Sequence, residues 1–166
     1  ILDLANQLHI ADKLILSNGV TPAKGISSEE LNLVYNTFDI NCLISLGDGF
    51  GLPVAESMAV GCPQIVSGHS CLKELVEAHG GLTVKNAAEI LHTTGINTWG
   101  GVSDVDDLVK KLNLLYANMD LRIKMGEDGY NFITQPQFTW EYAGQKINEI
   151  IRNVLHLLPE REGEAV

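Results

Sequence analysis

Apolar and polar positions follow two rhythms along the chain. Lys13–Ser17, Ile40–Ser45, Pro63–Val66 and Gly81–Val84 are short, nearly continuous apolar runs, the pattern of strands buried on both faces. Amphipathic stretches separate them. Leu2, Leu4, Ala5 and Leu8 predict a helix over Ile1–Leu8, and Ser27 and Glu30 stand at capping-box spacing before Leu31, Val34, Tyr35 and Phe38. A third helix starts after Gly51, holds Pro53 in its first turn, where the missing N–H costs nothing, and closes at Gly61. Strand and helix in alternation predict an α/β fold with a parallel sheet flanked by helices. Its ligand edge then comprises the loops after Ser17, Ser45, Val66 and Val84.

From Ser103 onward only helical spacing remains. Ser103 and Asp106 are expected to cap a helix with Val105, Leu108, Val109, Leu112, Leu115 and Tyr116 on one face. A second runs from Asp120 to Ile133 and stops before Pro136. A third opens at Thr139 and carries Ala143, Ile147, Ile150, Ile151, Val154 and Leu158. Residues 1–158 read as one domain with a helical C-terminal end, and the acidic tail 159–166 as disordered.

Composition narrows the classes. With 166 residues, 45% of them hydrophobic, the chain can bury a core. A formal charge of −10 disfavours a nucleic-acid backbone or an anionic membrane surface as partner, since both need a positive patch. Cys42, Cys62 and Cys71 match no zinc spacing, and no apolar run approaches a membrane span, so a cytoplasmic protein with reduced thiols is expected. Ile1 lies inside a predicted helix, from which a missing upstream segment is expected.

Candidate chemistry concentrates between Ser45 and Pro63, where a strand end leads through Gly47, Asp48, Gly49, Phe50 and Gly51 into the Pro53 helix. The glycines permit positive φ and close approach of a ligand to the backbone, and free N–H groups at the helix start suit sugar or phosphate oxygens. Asp48 on the loop and Glu56 on the helix are carboxylates that can each accept from sugar or ribose hydroxyls. A helix-capping aspartate beside a solvated glutamate would carry the same residues.

This stretch resembles the signature of the retaining glycosyltransferases of family 4, in which an acidic residue, Gly-Phe-Gly-Leu-Pro and a second acidic residue precede a small-residue helix, Gly, Pro and a strand. Leu16-Ser17-Asn18-Gly19-Val20, Ser67-Gly68, Leu72–Val76, Gly80-Gly81-Leu82 and Phe138-Thr139-Trp140 are also similar to the family's segments. The resemblance implies the C-terminal lobe of a GT-B fold, a Rossmann-like parallel sheet that binds a nucleotide-sugar donor. It implies that Glu56 holds the ribose hydroxyls and Asp48 the hydroxyls of the transferred sugar. The amides of Gly49, Phe50, Gly51 and Leu52 would hold sugar and phosphate oxygens, and the Gly19-Val20 loop would lie against the base. It also implies glycosyl transfer to an acceptor hydroxyl with retention, without a metal or other cofactor.

Two departures from the family pattern stand out. The family carries glutamate where Asp48 stands, and aspartate is shorter by about 1.5 Å. The family's arginine and lysine for the diphosphate have no counterpart, because no arginine precedes Arg122. They are expected on a missing upstream part, together with the acceptor lobe, so the fragment alone is expected to be inactive; any peripheral membrane association would lie there too. A nucleotide-sugar epimerase or a phosphorylase of the same architecture, or a non-catalytic nucleotide- or sugar-binding module, remains open on the residues alone.

Weaker signals complete the reading. Residues 85–101, with His92, Trp99 and Gly100-Gly101, form a longer connection than the family has there, a surface insertion or an acceptor contact. His69 and His79 lie near strand ends and read as surface histidines, although either could approach a phosphate. Tyr130, Phe132 and Trp140 are expected to pack the helical end, and the closing helix to cross to the other lobe.

Overall fold

The computed structural model describes residues 2–16, 25–92 and 98–157. The chain divides into two bodies, residues 1–34 and 35–166.

The first body contains helix α1 (Leu2–Gln7), a 3-10 turn over Ala11–Lys13, and the start of helix α2 (Ser28–Tyr35). The capping box forms as its residues predict: the Ser27 N–H donates to Glu30 Oε2 at 2.9 Å and the Glu30 N–H to Ser27 Oγ at 3.2 Å. The strand predicted at Lys13–Ser17 does not form among the described residues. Lys13 ends the 3-10 turn, the Leu14 N–H closes onto the Ala11 carbonyl at 3.3 Å, and Leu14–Leu16 enter no ladder. An apolar run becomes a strand only when a neighbour takes its backbone groups, and Ile15 instead faces solvent.

The second body is built on a parallel sheet of strands β1 (Asn41–Leu43), β2 (Gln64–Ser67) and β3 (Gly81–Val84), in that order. Helix α3 (Leu52–Met58) connects β1 to β2, and α4 (Ser70–Val76) connects β2 to β3. Every residue of β2 is buried, as a central strand requires. Because successive side chains point to opposite faces, Val66 joins Val54, Met58, Leu72, Leu75, Val76 and Ile133 in one cluster. Ile65 joins Val84, Leu115 and Met125 in another. Helices α5 (Val105–Ala117) and α6 (Met119–Ile133) supply the second cluster's helical side. Complete burial of residues such as Ile65 and Leu72 stabilises by about 1.5–3 kcal/mol each.

Gln64 is a polar group at the centre of this core. Its Oε1 accepts from Asn41 Nδ2 at 2.6 Å and Ser57 Oγ at 3.0 Å, and its Nε2 donates to the Cys62 carbonyl at 2.6 Å. Burial without such partners would be costly.

Helix α6 meets the sheet's amino edge without intervening side chains. A Cβ on Gly126 would strike the Gly61 carbonyl, and one on Gly80 would strike the Met125 carbonyl and lie 2.6 Å from the Gly129 nitrogen. Gly80 also sits at φ +89°, a conformation that favours glycine.

Three expectations are corrected beyond β3. Residues 85–101, read as a surface insertion or an acceptor contact with no secondary structure assigned, contain a hairpin: β4 (Asn86–His92) and β5 (Thr98–Ser103) pair antiparallel, with Glu89 opposite Gly101 and Leu91 opposite Trp99. Period-two alternation is weak in Asn86–His92, and glycines interrupt β5, which hid the hairpin. Ser103 belongs to β5, and Asp104 is the residue that caps α5, accepting the Asp107 N–H at 3.0 Å. Asp107 itself accepts the Lys85 N–H at 2.9 Å and pairs with Lys111. Trp140, expected to pack the helical end, opens helix α7 (Trp140–Leu157) and is 90% exposed. The Thr139 hydroxyl caps that helix, accepting the Tyr142 N–H at 3.2 Å.

Candidate functional site

The carboxyl edge of a parallel sheet collects the loops that leave its strands, and here the loop after β1 is held at several points. Ser67, the last residue of β2, takes the Ser45 N–H on its Oγ at 2.9 Å and donates the same hydroxyl to the Ser45 carbonyl at 2.8 Å. The Leu46 carbonyl lies 3.0 Å from His69 Nε2 and accepts the Gly101 N–H at 3.2 Å. The Asp48 carbonyl receives the Cys71 thiol at 3.2 Å. Burial, then the charge of Asp48, pushes the Cys71 thiol upward, so it stays protonated and donating.

Asp48 and Glu56 occupy the places their sequence positions predict, one on the loop and one inside α3, and both are exposed. Asp48 Oδ1 accepts the Gly51 N–H at 3.1 Å and so fixes the turn into the helix. Glu56 Oε2 accepts the Tyr35 hydroxyl at 2.8 Å. Burial first, then that hydrogen bond and the Glu56 charge, hold the phenol far above the ordinary tyrosine range, so it remains a donor. Tyr35 was legible only as an apolar position on its helix. Its role as the partner of Glu56 needs the fold, which brings α2's last residue to α3.

The glycines divide by purpose. Gly51 sits at φ +85° with the place of its missing Cβ 2.6 Å from Leu72 Cδ2, so the chain itself demands glycine there. Gly47 and Gly49 do not use positive φ, and a Cβ on either meets nothing within 4 Å among the described residues. Their side of the loop is open. Of the amides expected to serve a ligand, that of Gly51 is taken by Asp48. That of Leu52, in the first turn of α3, has no acceptor within the helix. Phe50 and Leu52 are exposed and, with Glu56, Ile133, Phe138 and Trp140, line a cleft of about 590 Å³.

Gly19 and Val20 lie outside the described residues. His69 is no free surface histidine, since its ring bridges the glycine loop and the hairpin. His79 stacks on Phe132, centroids 3.7 Å apart, and Phe132 meets Phe138 edge-on, so Phe132 packs as expected. Among the described residues no three His, Cys, Asp or Glu side chains gather as metal ligands, and no helix is long and apolar enough to cross a membrane.

The fixed glycine loop and the two carboxylates thus stand at the carboxyl side of a parallel sheet, the side on which open α/β sheets take ligands. Residues 4–132 match the family model described as Glycosyl transferases group 1, and the chain belongs to that family. It is 30% identical over 135 residues to the MMP alpha-(1->4)-mannosyltransferase of Mycolicibacterium hassiacum, spanning 78% of this chain and 29% of that protein. Two solved structures share the fold. One is a sucrose-phosphate synthase from Thermosynechococcus elongatus, with TM-score 0.69 and 20% identity over 94% of this chain and 34% of that one. The other is the C-terminal domain of a glycosyl transferase group 1 family protein from Francisella tularensis, with TM-score 0.58 and 22% identity over 80% of this chain and 57% of that one. The fold is that of GT-B C-terminal domains, and the chain spans about a third of the length of its mannosyltransferase and synthase relatives.

Proposed function

We propose that this chain is the donor-binding lobe of a retaining glycosyltransferase of family 4, which transfers a sugar from a nucleotide-sugar to an acceptor hydroxyl. The observation that carries the reading is the loop from Ser45 to Gly51, anchored through its backbone yet open beside Gly47 and Gly49. Glycine at those two positions answers no contact among the described residues, so close approach of a ligand is its use.

In this reading Glu56 accepts from the ribose hydroxyls through the oxygen that Tyr35 leaves unengaged, and Tyr35 fixes the carboxylate's rotamer. Asp48 accepts from hydroxyls of the transferred sugar. Amides of Gly49, Phe50 and Leu52 meet sugar and phosphate oxygens, and the helix start favours the negative charge that develops on the leaving diphosphate. No side-chain nucleophile and no metal enter the scheme. The acceptor lobe and the basic groups for the diphosphate are partners that this chain meets in the whole protein, consistent with its share of its relatives' length.

Calorimetric titration with a panel of nucleoside diphosphates and their hexose conjugates, GDP-mannose and UDP-glucose included, tests this. One nucleotide should bind, Glu56→Ala should remove that binding, and Asp48→Ala should remove the preference for the sugar conjugate. Binding unchanged in both variants would overturn the assignment.

A further inference from the structure

The hairpin of β4 and β5 rests on the loop that carries Asp48, and His69 makes the joint. His69 stands immediately before α4, and its ring reaches both ways: Nδ1 lies 3.0 Å from Asn86 Oδ1 at the start of β4, and Nε2 lies 3.0 Å from the Leu46 carbonyl. The Gly101 N–H in β5 reaches the same carbonyl at 3.2 Å and lies 3.3 Å from Nε2. The seat is closely fitted, since a Cβ on Gly101 would collide with the His69 ring and lie 2.6 Å from the Asn86 amide nitrogen. One step further along β5, Ser103 Oγ donates to Ser67 Oγ at 3.3 Å, and Ser67 holds Ser45. The hairpin is therefore tied into the same backbone anchors that fix the loop.

We propose that His69 is a positioning residue of the donor site, fixing the Leu46 carbonyl two residues before Asp48 and thereby setting where the Asp48 carboxylate meets the sugar. The inference rests on the donor-lobe reading and deepens it. To hold Leu46 the ring must carry a proton on Nε2, as the imidazolium with Asn86 Oδ1 on Nδ1 or as the neutral Nε2–H tautomer with the Asn86 amide turned to offer Nδ2; the Gly101 N–H then donates to the Leu46 carbonyl and not to Nε2. Glu56 is anchored separately by Tyr35, so the ribose contact does not depend on His69. The joint acts most on the sugar, which Asp48 meets, and less on the diphosphate, which the loop amides share.

The test compares the chain with His69→Ala and His69→Gln, the glutamine restoring an N–H donor at the Nε2 position. The first measurement is hydrogen exchange at the Ser45, Gly51 and Gly101 amides, the bonded amides of the loop and its joint. His69→Ala should exchange there about tenfold faster, the order expected from losing one hydrogen bond, with β2 and α4 unchanged, and His69→Gln should restore most of the protection. The second is the affinity ratio between a hexose conjugate and the bare nucleoside diphosphate. It should fall about five- to tenfold in His69→Ala, with the smaller loss for the bare nucleotide, and recover in His69→Gln. Binding by the parent protein with an unchanged ratio in His69→Ala, an equal loss for both ligands, or no recovery with glutamine overturns the role of His69 and leaves the donor-lobe reading standing. The titrations use the whole protein, where the basic groups for the diphosphate are expected, and a parent protein that binds no member of the panel overturns that reading and this one with it.

Discussion

The Tyr35 phenol donates to Glu56 Oε2 at 2.8 Å, tying the last residue of α2 to the middle of α3. Tyr35→Phe keeps the ring and its edge-on contact with Phe38 but frees the carboxylate. Stability should fall by about 1 kcal/mol, since Glu56 is exposed and water replaces the phenol. Nucleotide affinity should fall about threefold from the loss of a preset rotamer. A thermal melt and a titration of the same variant check both.

Gly51→Ala should be far more damaging than Gly47→Ala or Gly49→Ala in denaturant unfolding. At φ +85° and with Leu72 in the way, the alanine costs about 1–3 kcal/mol, against less than about 1 kcal/mol at the two open positions. In donor titrations all three should be defective. Unfolding and binding together thus separate the glycine the chain needs from the two a ligand needs.

Gln64→Leu keeps the approximate volume of a fully buried side chain while leaving Asn41, Ser57 and the Cys62 carbonyl without their shared partner. A loss of about 2–4 kcal/mol is expected from the urea midpoint. Ser57→Ala should cost less than Gln64→Leu, because the Ser57 hydroxyl has the Val54 carbonyl as a second acceptor and the Cys62 carbonyl keeps its Gln64 donor in that variant.

Cys62 gives a pH dependence with a defined sign. Burial pushes its thiol from 9.0 up to about 11 in the folded state. Below the unfolded value both states hold the proton and its stabilising contribution is complete. As pH rises from 9.0 towards 11 the unfolded state ionises first, and that contribution is lost. The urea midpoint should fall across this window, and Cys62→Ala should flatten part of the fall, with Tyr35 responsible for more of it at the upper end.

The parallel sheet and the helices around it were legible because their signals are local: the Ser27 capping box, the Pro53 helix start and the apolar runs at β1 to β3 need no distant partner. The chain position of Asp48 and Glu56 was legible for the same reason. Three features were not. Leu14–Leu16 has the composition of a strand, but pairing, not composition, makes one. The hairpin lacks a clean alternation, because Gly100 and Gly101 take positions where side chains would have shown it. Tyr35 and His69 owe their roles to contacts 21 and 23 residues away in sequence, which no window of periodicity spans.

The direct apposition of α6 to Gly61 and Gly80 has a mechanical consequence. Backbone laid against backbone contains no rotamer that can switch, so at these glycines the amino edge of the sheet behaves as a stiff floor, beside the stacked rings of His79 and Phe132. Compliance is left to the opposite rim, where hydroxyl, thiol and imidazole contacts can each yield by a bond rotation. A lobe that gives at one end only carries any strain from a bound ligand straight to its loops, and dissipates little of it in the body beneath.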